Sequence, residues 1–348
     1  MKKILSLLAV LFGCMSVSFA QNSYVATLQH GSDVSQYYGS GALTSAYNAA
    51  VDGDVITLSP GTFTSPGNIK KGITLRGTGI DADEQTVISN DVYFYSTNSN
   101  LITTVEGIRF SYVVQVLNDA SGSGQGTIKF IKDSFTSLDA SSVTSFSENR
   151  GPSVRLYNVV INDRISFTTN SHPDFQFYNC FVTCPYINAD SFSATSTTFV
   201  NCVIRWTNYS WSSSSAYRCH NLNFYNCIFN NTTGAQNFPS TATCFNCLAI
   251  NNANLFGNIA AGANNQYVSS AEDVFKTYRT DYSAGEKFEL TDAAKAAYLG
   301  TDGTQMGMQG GNYLFNTKVQ YPVVTTFNSD AQTNKQGKLN IEIGVDGE

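Results

Sequence analysis

The chain is poor in charge and poorer still in bases. Asp, Glu, Lys and Arg make up 13% of its 348 residues, and 20 Lys+Arg stand against 26 acids. With a net charge of −6 and no basic stripe, nucleic acid is not an expected partner. Past the N-terminus, no apolar run approaches the ~20 residues a membrane-spanning helix needs. There are only 3 His and 2 Trp. Residues 151–270 contain no Glu and no Lys, and their acids are Asp163, Asp174 and Asp190 alone. What is abundant is apolar: 42% hydrophobic, 13% aromatic, with Tyr 19 and Phe 23. That composition excludes whole-chain disorder. The length suggests about two domains, but elongated all-β folds exceed that prior as one unit.

Residues 1–20 read as a secretory leader. Lys2 and Lys3 precede an apolar run at 4–12, and Ser18-Phe19-Ala20 offers small residues at −3 and −1. Cleavage is expected before Gln21, which places the protein outside the cell, in the periplasm or on the cell envelope. A rival reading takes Leu11-Phe12-Gly13-Cys14 as a lipoprotein box with Cys14 lipidated, where Phe12 fits poorly.

The body repeats itself. Phe177-Tyr178-Asn179-Cys180-Phe181-Val182 recurs as Phe199-Val200-Asn201-Cys202-Val203-Ile204, as Phe224-Tyr225-Asn226-Cys227-Ile228-Phe229 and as Cys244-Phe245-Asn246-Cys247-Leu248-Ala249. Leu156-Tyr157-Asn158-Val159-Val160-Ile161 is the same block without its cysteine. The asparagines are 21, 22, 25 and 20 residues apart. Weaker copies lie at 105–110 and 128–136, where either Lys132 or Asp133 takes the asparagine place. The block is too short, β-branched and aromatic for a helix. Like strands at a short period predict a solenoid, three strands per coil at ~3.3 Å per residue, each strand parallel to its copy one coil away. Stacking then lines up Phe177, Phe199 and Phe224 inside, with Leu156 below and Cys244 above. A second interior file holds Val159, Cys180, Cys202, Cys227 and Cys247. The asparagines form a ladder at a left-handed turn, a conformation Asn tolerates.

On these blocks the chain resembles a right-handed parallel β-helix of the pectin-lyase-like superfamily. Residues 42–63 resemble that family's opening: an amphipathic helix, a turn and a first strand. Ile73-Thr74-Leu75-Arg76-Gly77-Thr78-Gly79 resembles the next coil. Phe288-Glu289-Leu290 with the glycine-rich run 300–311 resembles the closing segment of secreted bacterial members. The resemblance spans about 40–315 and implies a fold, not an activity, since such scaffolds host lyases, hydrolases, esterases and adhesins. The expected organisation is a leader (1–20), an N-terminal segment with a capping helix (21–58), a parallel β-helix with its closing segment (59–318) and a C-terminal β tail (319–348). In the tail, 321–327 and 338–343 alternate like strands. It is expected to cover the outward stripe of Tyr157, Tyr178, Val200, Tyr225 and Phe245.

Of the 8 cysteines, Cys14 belongs to the leader and four recur at one repeat position. Oxidising surroundings favour disulfides, yet a file of parallel neighbours ~4.8 Å apart reads better as buried free thiols acting as small hydrophobes. Cys244-x-x-Cys247 then follows from strand alternation and is no zinc half-site. Cys184 and Cys219 stand outside the file and can bridge. The sequons at Asn208, Asn230 and Asn231 carry little weight in an Asn- and Thr-rich chain. Asp81-Ala82-Asp83-Glu84 reads as a solvated turn. Calcium is the alternative, without a ligand spacing to single it out. No cofactor and no metal are expected, and oligomeric state is not legible.

A hydrolase on this scaffold wants paired carboxylates, and 151–270 shows none. A uronate lyase wants a base and cationic groups for the carboxylate. The candidates for that are Arg164, His172, Arg205, Arg218 and His220, without the acids that would hold calcium. Both tryptophans lie in Arg205-Trp206-Thr207-Asn208-Tyr209-Ser210-Trp211-Ser212, which continues to Tyr217-Arg218-Cys219-His220. Aromatic faces stack on sugars, and Arg and His bond hydroxyls or carboxylates. The expected ligand site is therefore Arg205, Trp206, Tyr209, Trp211, Tyr217, Arg218 and His220. The expected partner is a polysaccharide or surface glycan, bound without catalysis. The alternatives are a lyase acting on a uronate-containing glycan and a structural or adhesive surface protein.

Overall fold

The computed structural model describes residues 24–83, 85–96, 100–118, 126–139, 152–167, 174–183, 186–187, 197–205, 222–230, 237–238, 240–259, 263–277, 279, 281–319, 323–329 and 341–346. The N-terminal residues read as a leader, with Cys14, and Cys184, Cys219, Asn208 and Asn231 lie outside them.

The fold is a parallel β-helix. One face is an 11-stranded sheet, the second a 13-stranded sheet. The first face stacks Val55–Leu58, Thr74–Arg76, Ile102–Glu106, Thr127–Ile131, Ser153–Tyr157, Asp174–Tyr178, Thr198–Val200, Asn223–Tyr225 and Thr243–Phe245, each parallel to the next. The second face carries Phe181–Thr183, Val203–Arg205, Ile228–Asn230 and Leu248–Ile250 in the same order. The third strand place of a coil is filled by Val92–Ser96 and Tyr186–Ile187. In the middle coils it is fused to the second. Arg109–Asn118 pairs with Thr86–Ile88 by its first half and with Val92–Ser96 by its second, across a register shift between Phe110 and Val113. A bulge of this kind turns the corner without a loop.

Register places like on like as the repeats demand. Leu156, Phe177, Phe199, Phe224 and Cys244 are successive partners. Phe177 stacks on Phe199 at 4.3 Å and 6°, and Phe199 on Phe224 at 5.0 Å and 16°. Cys180, Cys202, Cys227, Cys244 and Cys247 are buried free thiols. Each ladder thiol donates to the carbonyl two residues before it and to one on the coil below, as Cys227 does to Tyr225 at 3.3 Å and Phe199 at 3.4 Å. Burial holds the Cys180, Cys202 and Cys227 thiols well above their usual pKa. Asn265 closes the file, its Oδ1 accepting from the Cys247 amide and its Nδ2 donating to the Cys244 carbonyl.

The turn residues Asn158, Asn179, Asn201, Asn226 and Asn246 have φ of 52–56°. Lys132, φ 58°, takes the asparagine place in its coil. Asp133 therefore stands in the thiol file, fully buried, accepting from the amides of Ile108 and Ile131. Burial pushes its carboxyl up against the pull of those two donors. The ladder itself is split. Asn264 donates to Asn246 and Asn246 to Asn226. Lower down, Asn158 donates to the Leu314 carbonyl, and Asn179 to those of Met308 and Gly310. The closing segment lies over these turns and supplies nearer acceptors than the next amide.

At the bottom, helix α1 (Ala42–Ala49) buries Ala42, Leu43, Ala46 and Tyr47 over the first coil. The sequence reading has no hairpin there, but Val25–His30 and Asp33–Tyr38 form one, and its first strand lies antiparallel to Val55–Leu58. An antiparallel strand ends a parallel stack by occupying its open edge.

A second apolar cluster lies outside the solenoid wall. Val160, Phe181, Val203, Ile228 and Leu248 follow the turn in successive coils, point outward and are fully buried. Residues 271–315 cover them through Phe275, Phe288, Leu290, Met306, Met308 and Phe315. Helix α2 (Asp292–Ala297) in this segment is capped by Thr291 Oγ1 on the Ala294 amide. Among the described residues, the ring lying over Tyr157 and Tyr178 is Tyr313, at 5.0 and 5.6 Å, from this segment and not from the tail. The tail forms its own antiparallel pair, Val323–Ser329 with Ile341–Asp346.

Candidate functional site

Of the sequence candidates, Arg164 and Arg205 are described. Arg205 ends Val203–Arg205, in register with Thr183 and Asn230. Its guanidinium pairs with Asp281 of the closing segment. Asn230 donates to the Arg279 carbonyl at 3.0 Å and is fully buried, which keeps its amide out of reach of glycosylation. Arg164 is exposed on Val160–Phe167, in register with Ser137. Val160 and Val203 share a file; Arg164 lies four residues past the one and Arg205 two past the other, so the arginines do not stack. His172, Trp206, Tyr209, Trp211, Tyr217, Arg218 and His220 lie outside the described residues. The two loops leave from different places in their coils, since Phe167 is in register with Ile187 and Arg205 with Thr183, while Asp174 and Leu222, which follow them, both lead into the first face.

Two of the acids in 151–270 serve the solenoid. Asp174 accepts from Arg155 Nη2 at 2.6 Å and from Ser153 Oγ at 2.9 Å. Asp163 accepts from Ser137 Oγ at 3.2 Å. Asp190 lies outside the described residues.

The structure adds a cleft that the sequence reading missed. It has a volume of about 920 Å³ and lies between 78–83 and 284–319 on the solenoid flank. Asp81 pins its two walls together. Its carboxylate accepts from Tyr282 Oη at 2.6 and 2.8 Å, Thr317 Oγ1 at 2.5 Å and the Gly285 amide at 3.1 Å. Burial, then this carboxylate, pushes the Tyr282 hydroxyl far above the ordinary tyrosine range. Thus the Asp81–Asp83 turn is a clasp and not merely solvated, and Asp81 spends its oxygens on protein donors. Asp83, Glu286 and Lys287 also line the cleft. The acidic cluster at 81–84 and the Glu286-Lys287 pair are both visible in the sequence, but nothing local joins them.

Among the described residues, no three His, Cys, Asp or Glu gather as metal ligands would. No described helix is long and apolar enough to cross a membrane. Comparison with protein-family models, curated proteins and solved structures gave no match.

Proposed function

We propose that this chain is a secreted, pectin-lyase-like β-helix protein that binds a polysaccharide or cell-envelope sugar without cutting it. One observation carries the reading. The coil interior is filled with side chains, so recognition falls to what the coils carry outside. Of the four coils between Asn158 and Asn246, the one with both tryptophans is the longest, 25 residues against 20–22, while the preceding Lys132–Asn158 coil has 26. The tryptophans follow in sequence the strand that ends at Arg205. Binding rather than hydrolysis is supported by Asp163 and Asp174, both engaged within the solenoid. A uronate lyase needs a free cation at the site, and the Arg205–Asp281 pair works against that alternative.

Affinity electrophoresis through neutral and acidic polysaccharides tests the reading. Retardation of the wild type that disappears in Trp206→Ala/Trp211→Ala supports it. Retardation unchanged in that variant removes the loop from the site. Release of ultraviolet-absorbing unsaturated uronates establishes the lyase instead, and no retardation by any polymer leaves a structural or adhesive role.

A further inference from the structure

We propose that the flank cleft is a second binding site, for a neutral or amino-bearing oligosaccharide and not an acidic one. The inference rests on the glycan reading for the class of ligand, but not on the tryptophan loop.

At about 920 Å³ the cleft is near the upper end of small-ligand sites. It is preformed, because the Asp81 clasp fixes Tyr282, Gly285 and Thr317 to the turn opposite. Its lining sets the exposed, apolar Leu314 beside the amide oxygen of Gln309 and the amide nitrogen of Asn316, whose other amide atoms bond within the segment, a mixture suited to a ring with one apolar face and a hydroxyl rim. Charge selects within that class. The lining holds the carboxylates of Asp81, Asp83, Glu286 and Glu289 against the ammonium groups of Lys287 and Lys318. Asp81 is occupied by the clasp, and Glu289 pairs with Lys276 at 3.5 Å. Glu286 is oriented by the Phe288 amide, which donates to its Oε1 at 2.7 Å. Asp83 and Glu286 thus offer acceptors for hydroxyl or ammonium donors, as charge-assisted hydrogen bonds. With Glu289 paired to Lys276, Asp81, Asp83 and Glu286 outnumber Lys287 and Lys318 by one, and this net negative lining disfavours a uronate.

Calorimetric titration of the mature chain with chitosan hexamer, xylohexaose and hexagalacturonate tests this. The chitosan hexamer is expected to bind at least about tenfold more tightly than hexagalacturonate, with xylohexaose between them. Asp83→Asn/Glu286→Gln shrinks the difference to about threefold or less, and Ala284→Trp, which crowds the rim, weakens chitosan binding about tenfold; circular dichroism confirms that both variants fold. Trp206→Ala/Trp211→Ala leaves the difference intact. Hexagalacturonate binding as tightly as the others overturns the proposal. So does a preference that survives both cleft variants, or binding lost only in the tryptophan variant, although this last result keeps the glycan reading. Silence from all three probes overturns the cleft site, and the glycan reading falls with it only if the electrophoretic panel is silent too.

Discussion

Asp81 and Tyr282, 201 positions apart, meet carboxylate to hydroxyl at 2.6 and 2.8 Å. The contact joins an early turn to the segment that follows the last coil. It shows the closing segment running back down the solenoid, over the asparagine turns and the outward apolar file, to the level of Gly79. Coils of a solenoid touch only their neighbours. This strap is what ties distant coils to one another.

Asp81→Ala orphans the Tyr282 and Thr317 hydroxyls together. The expected loss is ~1–3 kcal/mol in urea unfolding, with faster amide exchange concentrated in 282–317. Asp81→Asn keeps one acceptor and falls between. In alkaline spectrophotometric titration Tyr282 should ionise above the ordinary tyrosine range, and at lower pH in Asp81→Asn. An unchanged exchange pattern in Asp81→Ala would show that the clasp holds nothing.

The ladder thiols are buried, and burial raises the pKa of Cys180, Cys202 and Cys227. Iodoacetamide applied to the native chain should leave Cys180, Cys202, Cys227 and Cys247 unmodified, and label all four once the chain is unfolded and reduced. Peptide mass spectrometry reads the result. Native labelling, or a disulfide between ladder neighbours, contradicts the file of free thiols.

Phe199 stacks between Phe177 and Phe224 at 4.3 and 5.0 Å. Phe199→Ala should cost ~3–5 kcal/mol by chemical denaturation, because flanking coils cannot collapse into the gap. Gly311 tests the strap more locally. Its φ is +68°, and an added Cβ would sit 2.1 Å from Asn201 Nδ2. Gly311→Ala should cost ~1–3 kcal/mol through strain and overpacking, although it removes no contact.

His30 Nδ1 lies 2.6 Å from Asp54 Oδ1, with Asp54 almost fully buried. The hydrogen bond and charge of Asp54 raise the His30 pKa. For Asp54, burial acts upward, but the Val51 amide and His30 prevail and its pKa is lowered. A raised histidine contributes fully below its unfolded value of about 6.5, and that contribution fades as pH rises through its folded value. A lowered carboxyl contributes above about 4 and fades as pH falls through its folded value. The pair therefore supports the N-terminal hairpin most in mildly acidic solution. An NMR titration should find His30 above the free value in the wild type and near it in Asp54→Asn. Equal values in the two would remove the link.

Arg205 is matched by Asp281. Asp281→Asn should leave its guanidinium available and increase retention on acidic polymers in affinity electrophoresis, most at low salt. No change would place Arg205 away from any ligand path.

The repeats made much of this legible. Phe177, Phe199 and Phe224 align because identical neighbours on a strand pattern have one sensible register, and Asn at each turn marks the left-handed residue. The outward file was also written there, since an apolar residue follows each Asn-Cys. Phe181, Val203, Ile228 and Leu248 could not face water together, and that was the overlooked sign of a cover. The split ladder was not legible, because the carbonyls of Leu314, Met308 and Gly310 that intercept the lower asparagines come from a segment without repeat character. For the site, Arg205 is a real strand end, but its neutralisation by Asp281 leaves no local trace.

Sequence alone determined the coil: alternation chose the strands, the period chose parallel stacking, and both act between residues about 20 positions apart. Only the tertiary structure decided the N-terminal hairpin, the course of the strap and the flank cleft. Those depend on contacts such as Asp81 with Tyr282, whose partners are chosen by what the finished solenoid leaves uncovered, and no short-range pattern encodes that surface.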